Sequence, residues 1–234
     1  MKKIILFFAI VIGVTSCNSS EKAQKEKVST KKNTKMKTSD SSSNEADIKW
    51  INMGYDLEKG RPEGLKVGMK APDFKLNSPE GESVRLSDEL KKQPVVLIFY
   101  RGQWCPVCTR YLSGFQENLP KIVARGAKVI AITPETNENI AKTIEKAGTD
   151  FTILSDVDMS VTGDYKGLFS VTDDYQDKIR TKLESDIAFN NGKTEAQLPV
   201  PATYVIGQDG VIKFAQFDLD YRSRASADDI VKHL

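Results

Sequence analysis

A chain of 234 residues, 39% of them hydrophobic, with a net charge of +2, is long enough to bury one full core. The positive balance is uneven: Lys2 and Lys3 belong to residues 1–17, residues 18–49 carry eight lysines against five acids, and residues 50–234 are left at −3. An acidic main body excludes nucleic acid as an expected partner. Three cysteines and one histidine, His233 near the end of the chain, are too few for a zinc ribbon.

The chain opens with Lys2 and Lys3, an apolar stretch from Ile4 to Val14, and the small residues Thr15 and Ser16 before Cys17. This is the pattern of a cleaved export segment, too short to span a bilayer, which takes about 20 apolar residues. Val14-Thr15-Ser16-Cys17 resembles the lipobox of bacterial lipoproteins. The resemblance implies a mature protein that starts at an acylated Cys17 and is held to the membrane at the cell envelope, outside the cytoplasm. Residues 18–49 are rich in Ser, Thr, Lys, Glu and Asn, too polar to offset the entropy of ordering, and read as a flexible tether. Glu21, Glu26, Asp40, Glu45 and Asp47 interrupt its lysines, which argues against a basic nucleic-acid arm. Residues 50–234 remain as a single domain.

Within that domain, Asp73–Leu76 and Ser83–Leu86 alternate around Pro79-Glu80-Gly81 and predict an N-terminal hairpin. Val95–Tyr100 and Lys128–Thr133 are continuous apolar runs of strand length, as expected of strands buried on both faces. Between them Leu112, Phe115, Leu119, Ile122 and Val123 recur at helical spacing from Cys108 to Arg125, with Pro120 as a kink and Gly126 as the stop. Asn137–Ala147 reads as a helix ended by Gly148, Phe151–Leu154 as a strand, and Asp174–Phe189 as one helical segment. Ala202–Ile206 and Val211–Phe217 flank Gly207-Gln208-Asp209-Gly210 as a hairpin, and Ser226 caps a final helix over Ala227–Leu234. Strands alternating with helices predict an α/β fold with a central mixed sheet flanked by helices.

The chemistry is concentrated in Tyr100-Arg101-Gly102-Gln103-Trp104-Cys105-Pro106-Val107-Cys108. A C-x-x-C at a strand-to-helix junction brings two thiols within reach of one disulfide. The free N–H groups and dipole of the helix N-terminus favour a thiolate there, and Arg101 and Arg110 add positive potential. A purely structural disulfide fits less well, because so short a loop constrains the unfolded chain little.

Val67–Leu76, Val95–Cys108 and Val205–Ile212 resemble the peroxiredoxins of the alkyl hydroperoxide reductase and thiol-specific antioxidant type. The resemblance implies a thioredoxin-like fold and a thiol oxidoreductase without cofactor, nucleotide or haem. In that family a Pro-x-x-x-Thr/Ser-x-x-Cys motif ends on the cysteine that attacks peroxide. Aligned here, the proline becomes Arg101, the Thr/Ser becomes Cys105 and the peroxidatic cysteine becomes Cys108. The arginine that often precedes the Ala-Thr-Tyr-Val-Ile strand is Pro201, and in thioredoxin-like reductases that place holds a cis-proline against the dithiol. Trp104 is expected to cover the site, whereas Asp156, Asp158, Asp173 and Asp174 read as caps and turns rather than metal ligands.

Thiol–disulfide exchange is the expected function, with a peroxidase and a binding protein as alternatives. In thiol–disulfide exchange, Cys105, taken as the more exposed thiol, attacks a protein disulfide and Cys108 resolves the intermediate, with Pro106 setting the potential and Trp104 and Pro201 shaping the docking surface. In a peroxidase, Cys108 becomes a sulfenic acid, Cys105 condenses with it, and thioredoxin or another external dithiol restores the pair. A non-catalytic binding lipoprotein is the reading from another class.

Overall fold

The computed structural model describes residues 41–234. It opens on helix α1 (Ser41–Asn52), so the tether expected to reach residue 49 gives way to helix at Ser41. The polar composition hides the anchor. Trp50 and Met53 pack against the main core, and the Trp50 ring meets Tyr55 edge-on at 6.3 Å.

The expected hairpin follows as β1 (Lys75–Asn77) and β2 (Ser83–Arg85), with Leu76 opposite Val84. The chain continues through α2 (Leu86–Leu90), β3 (Val95–Phe99), α3 (Pro106–Val123), β4 (Lys128–Thr133), α4 (Asn137–Ala147), β5 (Thr152–Ser155) and α5 (Ser160–Asp164). Then come β6 (Leu168–Ser170), α6 (Asp173–Leu183), α7 (Ile187–Asn190), β7 (Gln197–Pro199), β8 (Ala202–Ile206), β9 (Ile212–Phe217) and α8 (Ala227–Val231). Seven strands form one sheet in the order β2-β1-β5-β4-β3-β8-β9, and β6 and β7 pair separately. β3, β4 and β5 run parallel at the centre, with antiparallel strands on both sides. This is the mixed α/β sheet expected.

β3 is buried at every position because it feeds two cores. Val96 and Ile98 face the layer that contains Leu112 and Phe115 of α3, while Val95, Leu97 and Phe99 face Leu86, Val161 and Tyr204. The period of two along the strand sends alternate side chains to opposite faces. α3 runs through Pro120, as expected, although Val123 is 56% exposed instead of part of the apolar stripe. Ile122 beside it stays fully buried, so the stripe ends one residue earlier than expected.

The helix expected over Asp174–Phe189 is two. α6 stops where Glu184 turns left-handed, and Asp186 then starts α7 by accepting from the Phe189 N–H at 2.9 Å. Asp156 and Asp158 act within turns. Buried Asp156 accepts from the backbone of Val161 and Thr162 and from the Thr162 hydroxyl, and Asp158 accepts from Ser160. Asp173 and Asp174 open α6, and Ser226 caps α8.

Candidate active site: a buried dithiol between two arginines

β3 ends at Phe99, and the loop Tyr100–Trp104 carries the chain over the edge of the parallel strands into α3. Cys105 is the N-cap of that helix, its backbone extended (φ −90°, ψ 104°), and Pro106 fills the first helical position, where no N–H is needed. The Cys105 Sγ accepts from the Cys108 N–H at 3.3 Å. A cysteine thus takes the capping role of a serine, and the same hydrogen bond sets the two thiols side by side.

Both cysteines are free thiols, and both are 0% exposed. The expectation that Cys105 is the more exposed member is therefore corrected. Arg101 covers it, donating from Nη2 to the Cys105 Sγ at 3.0 Å and from Nη1 to the Tyr175 hydroxyl at 2.9 Å. The guanidinium lies over the Tyr221 ring, 3.7 Å from its centre, with the Trp104 ring at 5.2 Å. Burial works against the charge of Arg101, but the neighbouring sulfurs and Tyr175 hold it protonated. Cys108 has its own cation: Arg224 points Nη2 at the Cys108 Sγ, 3.5 Å away, while its Nε donates to the Tyr221 carbonyl at 2.7 Å.

This arrangement separates the two thiols. Burial alone raises Cys108, but the hydrogen bond from the Cys105 thiol and the charges of Arg224 and Arg101 outweigh it and hold Cys108 well below the ordinary thiol range. Burial and the adjacent sulfur push Cys105 well above that range. The pair therefore ionises as one coupled unit, with Cys108 pushed down and Cys105 pushed up.

Of the other expected residues, Trp104 is buried and Pro106 exposed, and both line an open groove of about 960 Å³ with Arg110, Lys146 and Leu183. Arg110 faces that groove rather than the sulfurs. Pro201 is buried beside the site, one residue beyond the Phe99–Ala202 pair. The cis bond expected there is corrected, since every described peptide bond is trans. Val200 already donates to the Gly167 carbonyl at 2.7 Å, so Pro201 serves as a residue preceding a strand, where a missing N–H costs nothing. Cys17 and its lipobox lie outside the described residues.

Residues 67–215 match the AhpC/TSA family. The chain belongs to the AhpC/TSA family. A putative peroxiredoxin of Mycobacterium tuberculosis is 30% identical over 155 residues, 66% of this chain and 87% of the relative. Peroxiredoxin Bcp of Escherichia coli is 35% identical over 97 residues, 42% of this chain and 62% of Bcp. Among solved structures, a peroxidoxin BcpB of Mycobacterium tuberculosis superposes at a TM-score of 0.55 with 24% identity, over 72% of this chain and 96% of that one. This AhpC/TSA protein has the thioredoxin-like fold of the peroxiredoxins and is a thiol-based oxidoreductase.

Four residues of the site escape sequence reasoning: Tyr175 and Tyr221, which flank Arg101, and Glu135 and Arg224. Glu135, at 0% exposure, follows β4 and accepts from the Gln103 N–H at 2.8 Å. A signal for it exists: it is an acid just past the carboxyl end of a parallel strand that neighbours β3, the strand leading into the dithiol, where sites on α/β sheets gather. Arg224 has none. It sits in an irregular segment 116 residues from Cys108.

Proposed function

We propose that this protein is a thiol peroxidase in which the Cys108 thiolate attacks and Cys105 resolves. The terminal peroxide oxygen bonds to the Cys108 Sγ as the O–O bond breaks, giving a sulfenic acid and, with one proton, an alcohol or water. The Cys105 thiol then displaces the sulfenic oxygen as water and closes a Cys105–Cys108 disulfide. Two electrons leave the dithiol, and an external dithiol such as thioredoxin returns them.

The observation that supports this reading is the complete burial of both thiols, with an arginine within hydrogen-bond reach of each sulfur. A peroxide of a few atoms fits such a site. A protein disulfide must align with the attacking sulfur and cannot do so while Arg101, Tyr175, Tyr221 and Trp104 cover the pair. The test is the second-order rate of oxidation of the reduced protein by hydrogen peroxide. A rate far above that of a free thiolate at matched ionisation is expected, lost in Cys108→Ser. Cys105→Ser should instead accumulate a sulfenic acid that dimedone labels on Cys108. Oxidation no faster than a free thiolate would sink the proposal.

Thiol–disulfide exchange is the second reading, favoured by the C-x-x-C at a helix N-terminus and by the open groove beside Trp104 and Pro106. It requires Cys105 to attack, so Cys108→Ser would then trap partners in mixed disulfides. We further place the protein at the cell envelope, acylated on Cys17. Incorporation of a tagged fatty acid that is unchanged in Cys17→Ser would refute that placement.

A further inference from the structure

The loop that carries the dithiol is pressed against a carboxyl group that the reaction above leaves unused. Gly102 adopts φ +148°, and a Cβ there would lie 2.6 Å from Oε1 of Glu135 and 2.7 Å from Nε1 of Trp104. The backbone therefore passes directly over the carboxyl, which only glycine allows. Oε2 accepts from the Gln103 N–H, but Oε1 is buried without a hydrogen-bond partner, as are the Trp104 Nε1 and the Tyr100 hydroxyl. A fully buried carboxylate with a bare oxygen is costly, and protonation removes most of that cost.

The charges around Glu135 point the same way. Burial raises its carboxyl to about 8; the Gln103 N–H opposes that rise, the negative charge on Cys108 adds to it by less, and Lys142 and Lys146 on α4 pull it down more weakly still. The Tyr100 hydroxyl, at the end of β3, is buried within the field of both Glu135 and Cys108. From β5, the Ser155 hydroxyl binds only the Glu135 backbone carbonyl.

We propose that Glu135 is the proton store of the dithiol, neutral while Cys108 is a thiolate and ionised once the Cys105–Cys108 disulfide has formed. The site would then keep one negative charge throughout, on sulfur when reduced and on carboxylate when oxidised. The balance closes. Thiolate, thiol, carboxylic acid and peroxide become disulfide, alcohol, water and carboxylate; of the three protons on alcohol and water, one is the peroxide's own and two come from Cys105 and Glu135. A disulfide oxidant gives the same balance, with two thiols in place of alcohol and water. The inference rests on the dithiol chemistry proposed above but not on which oxidant is used.

Two measurements on the whole protein test it. The dithiol potential, set by equilibration with dithiothreitol buffers, should carry two protons per two electrons just below about pH 8 and one above it. That is a hundredfold change in the dithiol–disulfide equilibrium per pH unit against tenfold, or about 59 mV against about 30 mV. Glu135→Gln should show the shallow slope throughout. The reduced-minus-oxidised infrared difference spectrum of the native protein should lose a protonated-carboxyl band on oxidation, a band that shifts with ¹³C-glutamate labelling. A one-proton slope throughout in a dithiol that cycles normally, or no such band, would overturn the role of Glu135 alone. A dithiol that accepts no oxidant would overturn the proposed function and this inference together. Should Glu135→Gln not fold, the native slope and spectrum still decide.

Discussion

The cation at Cys105 comes from Arg101, four residues upstream, and the cation at Cys108 from Arg224, which lies outside the stretch that matches the family. A hydrogen bond to a charged group contributes about 1.5–3 kcal/mol, and one pKa unit is about 1.4 kcal/mol. Arg224→Gln is therefore expected to raise the first thiol ionisation by about one to two units. Titration of thiolate absorbance against pH checks it, and an unmoved midpoint would remove Arg224 from the chemistry. Glu135 makes a second prediction at this scale, in stability. A carboxyl raised from 4.5 to about 8 by burial binds its proton more tightly in the folded chain than in the unfolded one. Its contribution favours the fold at low pH and is lost as pH rises through that window, by up to about 1.4 kcal/mol per pH unit. Urea unfolding of the reduced protein should show this decline, and Glu135→Gln, which keeps an acceptor for Gln103, should flatten it.

At the scale of elements, α3 does two tasks with one terminus. Its free N–H groups meet the Cys105 sulfur, and Leu112, Phe115 and Ile122 anchor it to the sheet, so the dithiol sits in the core layer and not on its rim. The spacing of those apolar residues made the helix and its buried face legible. The break between α6 and α7 was not, because the short polar run around Glu184 and Asp186 suits a helix interior nearly as well as a stop followed by a new cap. α8 packs on α3 and is started by Ser226, whose hydroxyl accepts from the Asp229 N–H at 3.1 Å. Ser226→Ala should cost about 1 kcal/mol of stability, seen as a lower Tm, and leave the thiol pKa in place. A loss several-fold larger would mean that α8 holds the residues 218–225 over the dithiol more tightly than a cap alone explains.

Across the whole molecule, the site is assembled by parts that meet only on folding. Tyr221 stacks on Arg101, the Tyr55 hydroxyl donates to the Leu219 carbonyl at 2.8 Å, and the Tyr111 hydroxyl donates to the Ala225 carbonyl at 3.1 Å. Residues 218–225 are thereby drawn across the thiols. A reductant larger than a peroxide must wait for that cover to open locally. Urea well below the unfolding transition is thus expected to accelerate reduction of the disulfide by a bulky dithiol protein while leaving peroxide oxidation of the dithiol nearly unchanged. Equal urea dependence of both steps would argue that the sulfurs are reached without opening.

The sequence by itself determined what short-range chemistry determines. The periods of two and of 3.6 set strands and helices, Gly148 and Ser226 marked helix ends, and the C-x-x-C after a doubly buried strand placed two thiols at a helix N-terminus. Tertiary structure alone decided what surrounds the two thiols, because Arg224 and burial are both long-range. It also decided that Pro201 is trans, that Cys105 is covered and that Trp50 docks a helix where a tether was expected. Periodicity reports which face of an element is apolar, whereas the ionisation of a thiol depends on what the rest of the fold lays against it.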